Sequence, residues 1–149
     1  MPSYLISSRE AARTFGVYDA ATEDDAREAY ARDAGYRDCA DEAAVLETTV
    51  ERLHADLVVE PVDVADANAT IAAAMVEIDR ASSDADAVRD DADATSADGW
   101  DFRGTIDAGE DAGLDRRLAR AIAAQYTPQI RAAYARAWRA AVEADLADA

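Results

Sequence analysis

The run Phe15–Tyr36, FGVYDAATEDDAREAYARDAGY, decides the first half of the fold. Phe15 and Val17 alternate with Gly16 and Tyr18. That is the period of a strand and predicts the first pair on one face and the second on the other. Thr22 then stands where a helix N-cap belongs, with Glu23, Asp24 and Asp25 behind it. Its hydroxyl accepts an amide that the first turn leaves unpaired, and the three acids favour the positive end of the helix dipole. Gly35 suits the left-handed residue that closes a helix, and Tyr36 folds back beyond it. The helix Thr22–Ala34 presents Ala26, Ala29, Tyr30 and Ala34 inward. Nearly all are small, so its backbone is expected close to the sheet with Tyr30 as a wedge.

Upstream, Tyr4–Ser7 reads as a first strand and Ser8–Ala12 as a polar connection. With Arg13–Ala20 they form a β-hairpin. Downstream, Asp38 caps a second helix whose Cys39, Ala43, Leu46, Val50 and Leu53 share one face. The β-branched Thr48-Thr49-Val50 weakens that helix, and His54-Ala55-Asp56 breaks its pattern. Leu57–Val62 is a third strand; Pro61 has no N–H for a ladder, so the strand is expected to lie at an edge or to end there. Residues 3–63 therefore read β-β-α-α-β around a small antiparallel sheet.

The segments Gly16-Val17-Tyr18-Asp19-Ala20-Ala21-Thr22-Glu23 and Tyr30-Ala31-Arg32-Asp33-Ala34-Gly35-Tyr36 carry a resemblance. They resemble small uncharacterised proteins of high-GC bacteria that join a hairpin to a helix ending in a similar Ala-Arg-Asp-Ala-Gly-Tyr signature. The likeness spans about the first 60 residues. It implies the local fold and transfers no activity, because its residues are a turn, a cap and a helix stop.

The second half reads as mainly helical. Asp63 or Asp66 caps a helix to Ala81, with Val64, Ile71, Met75 and Ile78 as its buried face. Residues 82–110 form an acidic linker with an aromatic segment. Ser82–Gly99 holds six aspartates, one arginine and only Val88 as a large apolar residue, with a short helix possible around Asp84–Ala92. An EF-hand reading fails there. Counted from Asp84, the fifth position is Val88; counted from Asp91, the sixth is Ser96 and the twelfth Phe102. Trp100 and Phe102 alternate, as in a fourth short strand or an anchor loop; in a chain this short of large side chains they are expected to dock back on its own core, with anchoring of a partner as the alternative. Leu114, Leu118 and Ile122 line a helix from Asp111 to Gln125. Thr127-Pro128 opens a last helix bearing Ile130, Tyr134, Trp138, Val142 and Leu146, and the two read as an antiparallel pair over residues 111–149. The fold class is α+β.

Composition bounds the function. Of 149 residues, 39 are alanine and 35 are large apolar side chains, so the core is thin and its helices must lie close together. Acids number 32 against 15 arginines and no lysine, a formal net of −17. GC-rich codon usage and adaptation to high salt both produce this balance. Either way the whole-molecule field disfavours nonspecific attraction to nucleic acid or anionic membrane. No stretch approaches membrane-spanning length, MPSYLISSRE lacks the basic and apolar runs of a leader, and a cytoplasmic protein is expected. Cys39 is the single cysteine and His54 the single histidine. On a continuous helix they would stand roughly 22 Å apart, too far for a catalytic dyad. No phosphate loop, dinucleotide fingerprint or HExxH occurs, so no catalytic residue, metal ligand or cofactor is assigned.

Charge marks the remaining candidates. Arg116, Arg117, Arg120, Arg131, Arg136 and Arg139 concentrate positive charge between Asp115 and Val142, against one acid. These arginines, with Trp100 and Phe102, are the interaction candidates. The arginine faces read first as solvated or as paired with the acidic linker, and otherwise as contacts for an acidic protein partner or a second copy of this chain, or for nucleic-acid phosphates. The favoured reading is a non-enzymatic accessory or interaction protein of a bacterial or mobile-element system. The alternatives are a nucleic-acid binder and an acidic decoy that mimics DNA.

Overall fold

A computed structural model describes residues 1–10, 12–81 and 102–147. The chain divides into two compact units, Met1–Asp63 and Val64–Ala149.

In the first unit, β1 (Ser3–Ser8) is the centre of a three-stranded antiparallel sheet of order β2-β1-β3, flanked by β2 (Arg13–Asp19) and β3 (Leu57–Val62). Pro61 thus sits on an edge strand, as its missing N–H requires. A bulge corrects the expected facing of β2. Ile6 pairs with Gly16 and Ser7 with Thr14, leaving Phe15 as an extra residue. The extra residue swings Phe15 off the Val17 face and onto the side of Tyr18. There both pack with Ile6, Ala20 and Ala26, and the Phe15 ring lies 4.5 Å from that of Tyr30.

Helix α1 (Glu23–Asp33) begins as its sequence dictates: the Thr22 hydroxyl accepts the Asp25 amide at 3.1 Å. It ends in a Schellman motif. The Gly35 amide bonds the Arg32 carbonyl, the Tyr36 amide bonds that of Ala31, and Gly35 takes φ +101°. Its fully buried residues are Ala26 and Ala31. Ala34 is exposed, because it already belongs to the C-cap and has left the inward face.

The expected second helix is two helices, α2 (Cys39–Val45) and α3 (Val50–Asp56). Glu47 adopts φ +55°. The amides of Glu47 and Thr48 turn back to the carbonyls of Ala44 and Ala43, closing α2. Thr49 then caps α3 through the Arg52 amide. Leu46 is exposed as a result, and His54 lies inside α3 instead of breaking a helix.

The second unit is helical among the described residues: α4 (Val64–Ala81), α5 (Phe102–Asp111), α6 (Arg116–Gln125) and α7 (Thr127–Ala147). On α4, Ala67, Asn68, Ile71, Ala72, Met75 and Val76 are buried. Ile78 is half exposed and Val64 only partly buried, so the inward face is wider and richer in alanine than expected. Phe102 opens a helix, not a strand, and its side chain is 45% exposed. The expected helix Asp111–Gln125 is interrupted. Gly113, at φ +98°, closes α5 by a second Schellman turn, Leu114 folds onto Ile106, Ala119 and Ala123, and Asp115 caps α6. Gly109 is where α5 meets α6 and α4. A Cβ there would lie 2.9 Å from the Ala119 Cβ and 3.3 Å from Ile71 Cγ1.

Two details of α7 differ from expectation. The Thr127 hydroxyl does not cap it; it donates 2.6 Å to the Ala123 carbonyl, one of the acceptors that the end of α6 leaves open. And α7 packs chiefly along α4, with little contact to α6. Its apolar row advances by fours and so turns gradually: Ile130 and Tyr134 are buried, Val142 and Leu146 exposed. The short link after α6 joins neighbours in sequence, but the buried stripe selects α4. The acidic segment Ser82–Gly99 and Trp100 lie outside the described residues.

Candidate functional site

The α4–α7 interface carries an open groove. Tyr134, 1% exposed, donates its hydroxyl to Asp79 Oδ2 at 2.5 Å, and Arg80 pairs with Asp145. These polar ties hold α7 against α4. Beside them runs an open groove of about 520 Å³, floored by Ala73, Val76, Ala137 and Ala141 with Arg80 on its wall. Alanines keep the floor low, so a partner's backbone or side chains can approach closely. In the last turns of the same helices, Ile78 is 50%, Val142 39% and Leu146 70% exposed.

The arginines are distributed along two helices. On α6, Arg116 is turned to α5, 2.5 Å from Glu110 Oε2 and 3.7 Å from Asp107. Arg117 pairs with Asp115, the cap of its own helix, at 3.3 Å. Arg120 is exposed and makes no ion pair among the described residues. On α7, Arg131 is half-buried while Arg136 and Arg139 are exposed. Exposed pairs such as these contribute about 0–1 kcal/mol each, and they lower the positive charge that a polyanion would meet.

The first unit holds an acidic cluster around a buried thiol. Cys39 is 1% exposed and its amide donates to Glu28 Oε2 at 3.0 Å. Burial, then the bond to Glu28 and the fields of Glu28, Glu42 and Asp38, push its thiol up to about 12. A thiol held protonated is a poor nucleophile. Glu42 is 3% exposed and its Oε2 has no hydrogen-bond partner. Burial, with the Glu28 carboxylate second, raises its pKa above the usual range. The break at Glu47 removes the helix-length argument against a Cys39–His54 dyad, and the suppressed thiol replaces it. Among the described residues, no group of three His, Cys, Asp or Glu side chains is arranged to hold a metal ion. Nor is any described helix long and apolar enough to cross a membrane.

Sequence reasoning missed the groove. Its signal was present as Ala73, Ala137 and Ala141, but alanine at every third or fourth place recurs throughout this chain. Comparison with protein-family models, with curated proteins and with solved structures finds no match.

Proposed function

We propose that this chain is a non-enzymatic accessory protein that acts by binding another protein through the α4–α7 groove. The observation that carries the reading is the alanine-floored channel with exposed Val142 and Leu146 on the same helix, in a chain short of large apolar residues. Leaving such side chains in water is unfavourable by about 25 cal/mol per Å² of apolar surface, a cost that a partner's apolar surface removes. The carboxylates beside Arg116 and Arg117 support a protein partner over nucleic acid, because they already neutralise two of the three arginines of α6.

The test is affinity capture from the native host, followed by calorimetry with the purified partner. Wild type and Ala141→Glu are compared after circular dichroism establishes equal helicity. A bulky charge in the floor is expected to weaken direct binding at least tenfold. Undiminished binding by the variant, or a metal or cofactor copurifying in an enclosed cavity against His54, would overturn the proposal.

A further inference from the structure

The first unit contains a second open cavity, of about 600 Å³, between the β1–β2 connection and α3. Asp56 builds it. Its Oδ2 accepts the Ser8 hydroxyl at 2.8 Å, its Oδ1 accepts the Glu10 amide at 2.8 Å, and its backbone carbonyl accepts the Arg9 amide at 2.8 Å. Three bonds from one residue of α3 therefore fasten the connection that bears Arg9. This brings Arg9 and Arg52 to the wall of one cavity, with Thr48 and Leu53.

Two features distinguish these arginines. Carboxylates outnumber guanidinium groups by 32 to 15 in this chain, yet neither Arg9 nor Arg52 makes an ion pair among the described residues. The Asp56 carboxylate on the same wall accepts from the Ser8 hydroxyl and the Glu10 amide. Two guanidinium groups and one hydroxyl belong to the residues of that wall and supply N–H and O–H donors. That set matches a tetrahedral oxyanion of charge near −2 better than a flat monocarboxylate. Glu10 and Asp56 share the wall and oppose an anion, and the charge of Arg9 already acts on the Asp56 carboxylate, so affinity should be modest.

We propose that this cavity binds a small phosphate monoester: Arg9 and Arg52 grip the phosphate, Thr48 donates to it, and Leu53 packs against the organic body. The site is independent of the α4–α7 groove, and either can fail without the other.

The probes are inorganic phosphate, glycerol phosphate and succinate, each titrated into the ¹⁵N-labelled full chain at matched ionic strength. Arginine Nε–Hε and Thr48 amide signals are followed by NMR. Glycerol phosphate is expected to shift the Arg9, Arg52 and Thr48 signals saturably, in the millimolar range or tighter. Arg9→Gln and Arg52→Gln should each weaken it at least fivefold, Glu10→Gln should tighten it, and Arg120→Gln should leave it unchanged. Both arginines are exposed, so their variants should fold, and overlay of distant amide signals checks this. Saturation by inorganic phosphate with weaker affinity supports the assignment and isolates the contribution of the organic body. Shifts that stay linear with concentration, equal loss in Arg120→Gln, or saturation by succinate in place of phosphate would each overturn it.

Discussion

Gly109→Ala sets two effects of known sign against each other. In an exposed helix, alanine is favoured over glycine by about 1 kcal/mol. Here the new methyl would lie 2.9 Å from the Cβ of Ala119, while non-bonded carbons rest at about 3.5–4.0 Å. Ala119 is fully buried and its Cβ has no rotamer through which to escape. The helices α5 and α6 must therefore separate, and overpacking of this kind costs about 1–3 kcal/mol. Ile71 Cγ1, at 3.3 Å, adds a smaller collision that a side-chain shift can relieve. The net expectation is a loss of about 1 kcal/mol, or a urea midpoint lower by roughly 0.5 M at a slope near 2 kcal/mol/M. Trp138 lies on α7 and the first unit holds no tryptophan, so the change in Trp138 fluorescence follows the second unit. Ala119→Gly removes the atom that collides. By itself it should destabilise, through helix propensity and a lost buried methyl. Combined with Gly109→Ala it should restore about 1–2 kcal/mol relative to the sum of the single changes. A Gly109→Ala protein more stable than wild type, or strict additivity in the double variant, would refute the close approach of α5 and α6.

Glu47→Gly should stabilise the first unit by about 0.5–1 kcal/mol in thermal unfolding, because a non-glycine residue at positive φ costs about 1–2 kcal/mol and glycine returns part of that as chain entropy. Glu42→Gln tests a titration of definite sign. Its folded pKa is raised, so the penalty for its charge is absent below the unfolded value and grows as pH rises through the folded one. The variant should therefore gain melting temperature at pH 7 and none near pH 3.5; an equal gain at both would sink the account. Asp56→Asn has the opposite dependence. Bonds from the Glu10 amide and then the Ser8 hydroxyl lower the pKa of Asp56, so its contribution exists above the unfolded value and fades as pH falls through the folded one. The stability gap between wild type and Asp56→Asn should close on acidification.

Local chemistry was legible in the residues themselves. Thr22 with three acids behind it, and Gly35 before Tyr36, define both ends of α1 from contacts within a few residues. Pro61 put β3 at an edge because a missing N–H is a covalent fact. What escaped was whatever depends on which surface a segment meets. The bulge at Phe15 reverses the facing of an aromatic, and a period-two pattern cannot anticipate one inserted residue. Glu47 in the left-handed region carries no glycine to announce it, so α2 and α3 read as one helix. At Gly113-Leu114-Asp115 the stop and the next cap were both present in sequence, and the apolar spacing through Leu114 concealed them.

The sequence by itself determined the α+β order, the helix ends with capping residues and the thinness of an alanine-built core, because these follow from backbone sterics, hydrogen-bond supply and side-chain volume. Only the tertiary structure decided that α7 lies along α4, that an alanine floor stays open beside it, and that Asp56 draws Arg9 to the same cavity as Arg52. Those outcomes rest on contacts between residues dozens of positions apart, and chain spacing does not encode such distances.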